Sequence, residues 1–184
     1  HPIFGHYLIT APFGSYGGFA YESSEARNLL LNEVQRLAEQ TKVEYVSIHH
    51  GEGASTPPDN WIQHPAYCTY LIDLSSTPDE LLKTFASDHR NHVRKSIKKG
   101  FQVRIGHLDL LDDIYEALAT SIHELGSPYH TKTYLRQMAE SLGDTLEFAV
   151  LYDSQGLIAG GGVFIYQDDT IFNLHANILR RVRS

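Results

Sequence analysis

The stretch Asp88–Gly106, DHRNHVRKSIKKGFQVRIG, decides how the rest of the chain is read. Val93, Ile97 and Phe101 recur every fourth residue, so the spacing predicts a helix over 88–99 with one apolar stripe. Arg90, Arg94 and Lys98 fall on a second stripe at the same spacing. Gly100 stops the helix, and Phe101, Val103 and Ile105 then alternate with polar residues as a strand does. Arg90, Arg94, Lys95, Lys98, Lys99 and Arg104 crowd into this span of a chain whose formal net charge is −7. A row of like charges repels itself and gains from an anion beside it. Two readings follow. The cations form a solvated helix face that follows the dipole, or they hold a phosphate-bearing substrate or a nucleic acid.

The 184 residues suit one domain or two small ones, and 42% hydrophobic with 20% charged residues describes an ordinary globular composition. A single cysteine, Cys68, excludes an internal disulfide framework and any Cys-rich zinc site. No stretch is apolar for long enough to span a bilayer, and a reducing, cytoplasmic location is the default expectation. The acidic balance argues against bulk coating of nucleic acid, so any anion site is local. His1 is not a natural start, and the last strand runs straight into Arg180–Ser184, so the expectation is a chain cut at both ends.

Outward from the basic stretch, the pattern predicts strands at 6–13, 18–21, 43–49 and 67–74, with a helix capped by Ser23 or Ser24 and ending near Thr41. The near-continuous apolar run Tyr67–Leu74 reads as a strand buried on both faces. Thr77-Pro78-Asp79-Glu80 carries the cap, proline and glutamate of a helix start. Leu111, Ile114, Tyr115, Leu118, Ile122 and Leu125 mark a long amphipathic helix. Thr131 caps another, with Tyr134, Leu135, Met138 and Leu142 inward and Gly143 at its stop. Three strands follow, 146–152, 157–167 and 170–177, joined at Asp153–Gly156 and Asp168-Asp169. Gly160-Gly161-Gly162 inside the middle strand predicts a bulge or a close backbone approach. The order divides near residue 76 into β-β-α-β-β and α-α-β-α-α-β-β-β.

Strand, two helices and three antiparallel strands resemble the opening of a GNAT-type acyltransferase domain. The basic helix Arg90, Arg94, Lys95, Lys98, Lys99, Gly100 is similar to that of the FemAB family of peptidyl- and acyltransferases. Leu125-Gly126-Ser127-Pro128 and Pro12-Phe13 with Tyr16-Gly17-Gly18 resemble the FemAB-like proteins of exopolysaccharide and exosortase systems. The resemblance implies an α/β (α+β) fold with a GNAT-like mixed sheet flanked by helices. Residues 1–76 would be the later half of one GNAT-like domain, and residues 77–184 would open a second. It implies a donor that is aminoacyl-tRNA or acyl-coenzyme A, an amine-bearing envelope precursor as acceptor, no resident cofactor, and room for peripheral contact with a membrane. Some members hold the acceptor's diphosphate with an Arg and a Tyr four residues on. The matching positions here are His130 and Tyr134, and an imidazole is mostly uncharged at neutral pH, though Lys132 stands near.

Candidate substrate-binding residues are therefore Arg90, Arg94, Lys95, Lys98, His130, Tyr134 and His175. Each has a plain alternative. Tyr134 lies on an apolar stripe as a core tyrosine would, His130 can simply cap its helix, and His175 alternates with Asn173 as a satisfied interior pair. His89 with His92, and His49 with His50, lack a third ligand at metal spacing, so no metal site is expected. No phosphate loop, dinucleotide fingerprint or assignable Ser-His-Asp set is present, and no catalytic base is named. The expected function is a FemAB-type transferase moving an acyl or aminoacyl group onto an amine of a peptidoglycan or polysaccharide precursor. The rivals are a coenzyme A dependent N-acyltransferase and a non-catalytic RNA- or protein-binding pair of domains.

Overall fold

In the computed structural model, residues 5–10, 17–50, 61–63, 69–74 and 76–183 are described. Pro12, Phe13 and Tyr16 of the resemblance, and Cys68, lie outside them. The chain divides into two compact units, His1–Tyr70 and Leu71–Ser184. Among the described residues no helix is long and apolar enough to cross a membrane.

In the first unit, Ser23 starts helix α1 (Ser24–Thr41) by accepting the Ala26 N–H at 3.1 Å. Lys42 ends it in the left-handed region, with φ 53°. Leu31 is buried, whereas Leu30 and Leu29 are exposed. Strands β1 (Tyr7–Ile9) and β2 (Tyr45–Ser47) pair in parallel, and the Tyr7 and Tyr45 rings stack across them at 4.8 Å. The expected strand at Gly18–Tyr21 does not form. Gly17 N–H donates to His49 O at 2.9 Å, and the pairing does not continue as a ladder.

The strand expected over 67–74 is also corrected. Its described part, Thr69–Leu74, is not in a strand, and Tyr70, Leu71, Ile72 and Leu74 are exposed. An apolar run supplies side chains for burial but not the hydrogen-bonding neighbour that a strand's backbone requires.

The second unit opens with the expected capping box. Thr77 accepts the Glu80 N–H while the Glu80 carboxylate accepts the Thr77 N–H, starting α2 (Pro78–Thr84). Helix α3 (Ser87–Lys98) follows, ending at Lys99 and Gly100, where φ is +77°. No residue of α3 is buried: Val93 is 39% and Ile97 70% exposed. Two aliphatic side chains offer too little area, at about 25 cal/mol per Å², to offset dehydrating the flanking cations.

Strands β3 (Gln102–Gly106), β4 (Leu146–Tyr152), β5 (Ile158–Gln167) and β6 (Thr170–Ile178) form one antiparallel sheet in that order. Helices α4 (Leu111–Glu124) and α5 (Lys132–Leu142) pack against it. The core joins Leu110, Leu111, Ile114 and Leu118 to Leu135, Phe148, Val150 and Val163. On α4 the buried stripe includes Ala117 and Ser121, while Leu125, expected inward, is 57% exposed. Ala117 faces Gly161 of β5. A Cβ on Gly161 would fall 2.5 Å from Ile114 Cδ1 and 3.2 Å from Ala117 Cβ, so helix and strand touch only because that side chain is absent. The sequence expectation of a close approach at Gly160–Gly162 is thereby met.

Three arginines that follow β6 tie this segment to α4, to the β4–β5 turn and to the end of β6. Arg180 donates to Glu124 O at 2.8 Å, and Arg181 pairs with Asp153 at 2.6 Å, lowering that carboxyl's pKa chiefly through the hydrogen bond. Arg183 donates to Ile178 O. Tyr152 donates to Asp113 and so ties β4 to the first turn of α4; burial first, then that bond, pushes its phenol up to about 12.

Candidate functional site

Two groups of candidate residues stand in the second unit, and the sheet separates them. In an antiparallel ladder, directly opposed residues share a face. One row runs Val103, Leu151, Gly160, Ile178 across all four strands. A second row, three residues along, runs Gly106, Phe148, Val163, His175. Odd and even positions of β5 alternate, so Gly160 and Val163 face opposite sides. Phe148 and Val163 are fully buried under the helices, which puts His175 on the helix side. Leu151 and Ile178 belong to the other side.

On that other side lies an open groove of about 620 Å³. One wall carries Lys95, Lys98 and Lys99 with His92, and its apolar part is Phe101, Leu151, Ile178 and Val182. A Cβ on Gly160 would fall 2.5 Å from Asn177 O and 3.3 Å from Ile178 Cγ1, so the absent side chain lets Ile178 of β6 lie against β5 here. Gly100 turns the chain tightly enough to set the end of α3 beside β3. Lys95 and Lys98, both candidates from the sequence, line this groove. Arg94 does not line it. Arg90 is spent differently: its guanidinium donates to Phe85 O at 2.5 Å and Lys83 O at 3.3 Å, closing the C-terminal end of α2. Of the stripe read from spacing, Arg90–Arg94–Lys98, Lys98 meets the groove and the two arginines do not. His92 and Ser96 take those places.

On the helix side, the chain reverses at Gly126, with φ +84°, and Thr131 caps α5 by accepting the Tyr134 N–H at 3.2 Å. This brings His130 and Tyr134 together, ring centroids 4.5 Å apart, with His175 of β6 at 6.2 Å from His130. Tyr129 completes the cluster at 5.4 Å from His130 and 5.7 Å from His175. Sequence reasoning missed Tyr129. Its adjacency to His130 was visible, but the packing of β6 against this loop was not. Tyr129 Oη is buried without a partner, and burial raises its pKa so that it stays a neutral phenol. In the first turn of α5, Lys132 pairs with Asp112 of α4. The three expected residues His130, Tyr134 and His175 thus meet, and they do so on the opposite face from Lys95 and Lys98. Among the described residues, no three His, Cys, Asp or Glu side chains converge as metal ligands.

Burial, and second the charge of His130, lower the pKa of His175. The unfolded imidazole titrates near ~6.5, so below that pH the unfolded chain binds the proton more readily. Stability is then expected to be full above about pH 6.5 and to fall as the solution is acidified through the His175 range. Urea midpoints at pH 7.5 and 5.5 check this. His175→Asn should show the smaller acid loss.

A model of the FemAB family matches residues 33–154, more than half of the chain. The chain belongs to the FemAB family. The match takes in the basic helix, both central helices and β4 of this FemAB protein. No curated protein matches it significantly. Among solved structures, a GNAT family acetyltransferase from Staphylococcus aureus subsp. aureus is similar at 15% identity and a TM-score of 0.33, over 45% of this chain and 65% of that one. The aligned part therefore spans less than two thirds of that chain's length.

Proposed function

We propose that this FemAB protein is a transferase that moves an acyl or aminoacyl group onto an amine of a cell-envelope precursor. In that reaction the amine nitrogen bonds the donor's carbonyl carbon and the donor's ester or thioester bond breaks. The nitrogen's proton goes to a base, and the departing oxygen or sulfur takes one up. Much of the rate in such a step comes from holding the two reactants together. On the same reading, residues 1–76 are the later half of one GNAT-like domain and residues 77–184 open another.

The observation that carries the reading, beside family membership, is the groove with lysines on one wall and apolar side chains beside them. Three lysines within five residues repel one another, and the cost is relieved when phosphates lie among them. Aminoacyl-tRNA and acyl-coenzyme A both carry such phosphates beside an acyl ester or thioester. The test is to incubate the protein with labelled aminoacyl-tRNA or acyl-coenzyme A and an amine-bearing peptidoglycan or polysaccharide precursor. Transfer of label to the precursor supports the reading, and tRNA binding with steep salt dependence but no turnover replaces it with a binding role.

The groove makes a sharper prediction. Lys95 and Lys98 are exposed, so reversing both to Glu should leave the melting temperature nearly unchanged. Donor affinity should fall at least about tenfold, and the salt slope should shrink by roughly 0.7 per lost phosphate contact for single-stranded nucleic acid. Arg94→Glu alone should do less. Fluorescence anisotropy with labelled tRNA over a salt series measures both.

A further inference from the structure

The groove beside α3 joins two kinds of surface that a simple anion does not need together. Lys95, Lys98 and Lys99 stand at i, i+3 and i+4 at the end of that helix and so share one side of it. Past Gly100 the lining turns apolar. Phe101 leads into β3, Leu151 lies on β4, Ile178 on β6 and Val182 in the short helical turn after it. Leu151 and Ile178 belong to one row across the sheet, with Gly160 of β5 between them. Two strand spacings separate them, so apolar side chains reach ~10 Å across the sheet. Phe101, Leu151 and Val182 are half-buried, and Ile178 is 46% exposed. Water therefore lies against this surface, and an aliphatic chain that displaces it gains in proportion to the area it covers.

The lining also shows what the groove rejects. Among the described residues it holds no carboxylate. Asp153, two residues beyond Leu151, is taken up by Arg181 and by the N–H groups of Gln155 and Leu157. Ser96 donates its hydroxyl to His92 O at 3.0 Å. An ammonium group brought in here would meet three like charges, lose water and gain no acidic partner. An aminoacyl group carries an ammonium beside its ester; a plain acyl group does not.

We propose that the groove selects an uncharged aliphatic acyl chain on a phosphate-bearing carrier, with the phosphate among the three lysines and the chain along Phe101, Leu151, Ile178 and Val182. Taking that chain to be the group transferred rests on the transferase reading above; the binding of a phosphate-headed aliphatic chain does not. Inorganic phosphate engages the lysines alone. A molecule that joins phosphate to chain engages both surfaces and gives up its freedom of motion once. Selection therefore shows as a dependence of affinity on chain length and on the charge at the chain's far end.

The probes are butyl, hexyl and octyl phosphate, with inorganic phosphate and 6-aminohexyl phosphate as counterparts. Each is added at pH 7.5 while the methyl resonances of Leu151, Ile178 and Val182 are followed by NMR. The ammonium of the last probe is charged at that pH, as a lysine's is. The three alkyl phosphates are expected to shift these methyls, and inorganic phosphate is not. Affinity should rise about twofold per added methylene, against about fourfold for a methylene wholly removed from water, because the groove is open. 6-Aminohexyl phosphate should bind at least about tenfold more weakly than hexyl phosphate. Lys98→Glu should weaken every alkyl phosphate alike. Ile178→Ser should flatten the dependence on chain length; if that variant fails to fold, the wild-type series decides alone. Affinity indifferent to chain length, or 6-aminohexyl phosphate bound as tightly as hexyl phosphate, would overturn the proposal. So would methyls that respond to no alkyl phosphate, as when a second copy or another protein segment fills the groove. Label transfer from hexanoyl-coenzyme A and from aminoacyl-tRNA is measured apart. Transfer from aminoacyl-tRNA alone overturns the selection and spares the transferase reading. Binding that depends on chain length, with transfer from neither donor, spares the groove's ligand and removes the transferase reading.

Discussion

Replacing Phe148 with alanine is expected to destabilise the second unit by about 3–5 kcal/mol. Phe148 is fully buried and lies at the centre of the core that joins α4, α5 and the sheet. Its ring also stacks on His107 at 6.3 Å, and His107 Nε2 is already buried without a partner. Removing the ring opens a cavity that the fixed sheet backbone on one side and the two helices on the other can close only partly. Against a typical total of about 5–15 kcal/mol, such a loss leaves little of the folded population in reserve. Urea unfolding at pH 7.5 measures it. Phe148→Leu should cost clearly less, and equal losses for the two would show that the site can collapse around alanine.

The second large effect is expected at Gly161, where the fault is excess volume. A valine there would put its Cβ 2.5 Å from Ile114 Cδ1 and its methyls deeper still. Ile114 has no exposed surface, so it has nowhere to swing. The helix must lift from β5, at an expected cost of about 1–3 kcal/mol or more. Gly161→Ala tests the mechanism. Combined with Ile114→Val it should recover part of the loss, with a coupling energy of at least ~0.5 kcal/mol. Strictly additive losses would mean that the strand, and not the helix contact, is what the side chain disturbs.

The local devices of the fold were legible because each is complete within a few residues. Ser23, Thr77 and Thr131 cap helices through side chains that need only the next three N–H groups. Gly100, Gly126 and Gly143 take positive φ at turns where a side chain would be strained. The three closing strands were readable from alternation and from turns such as Asp153–Gly156, where Asp153 accepts from Gln155 and Leu157. Reading failed where a partner decides. Thr69–Leu74 has the side chains of a strand and, among the described residues, no ladder. Val93 and Ile97 have helical spacing and remain exposed.

The candidate site divides in the same way. Sequence alone determined which residues are charged, aromatic or titratable, and which helix or strand each one rides on, since both follow from neighbours along the chain. Tertiary structure decided which of them meet. Strand register sets Val163 opposite His175 and Gly160 opposite Ile178, and so sends the histidine cluster and the lysine groove to opposite faces of one sheet. The physical reason is the pleat. Successive side chains point to opposite sides, so a shift of one residue in pairing would exchange the two faces, and no periodicity within a single strand records the register it adopts.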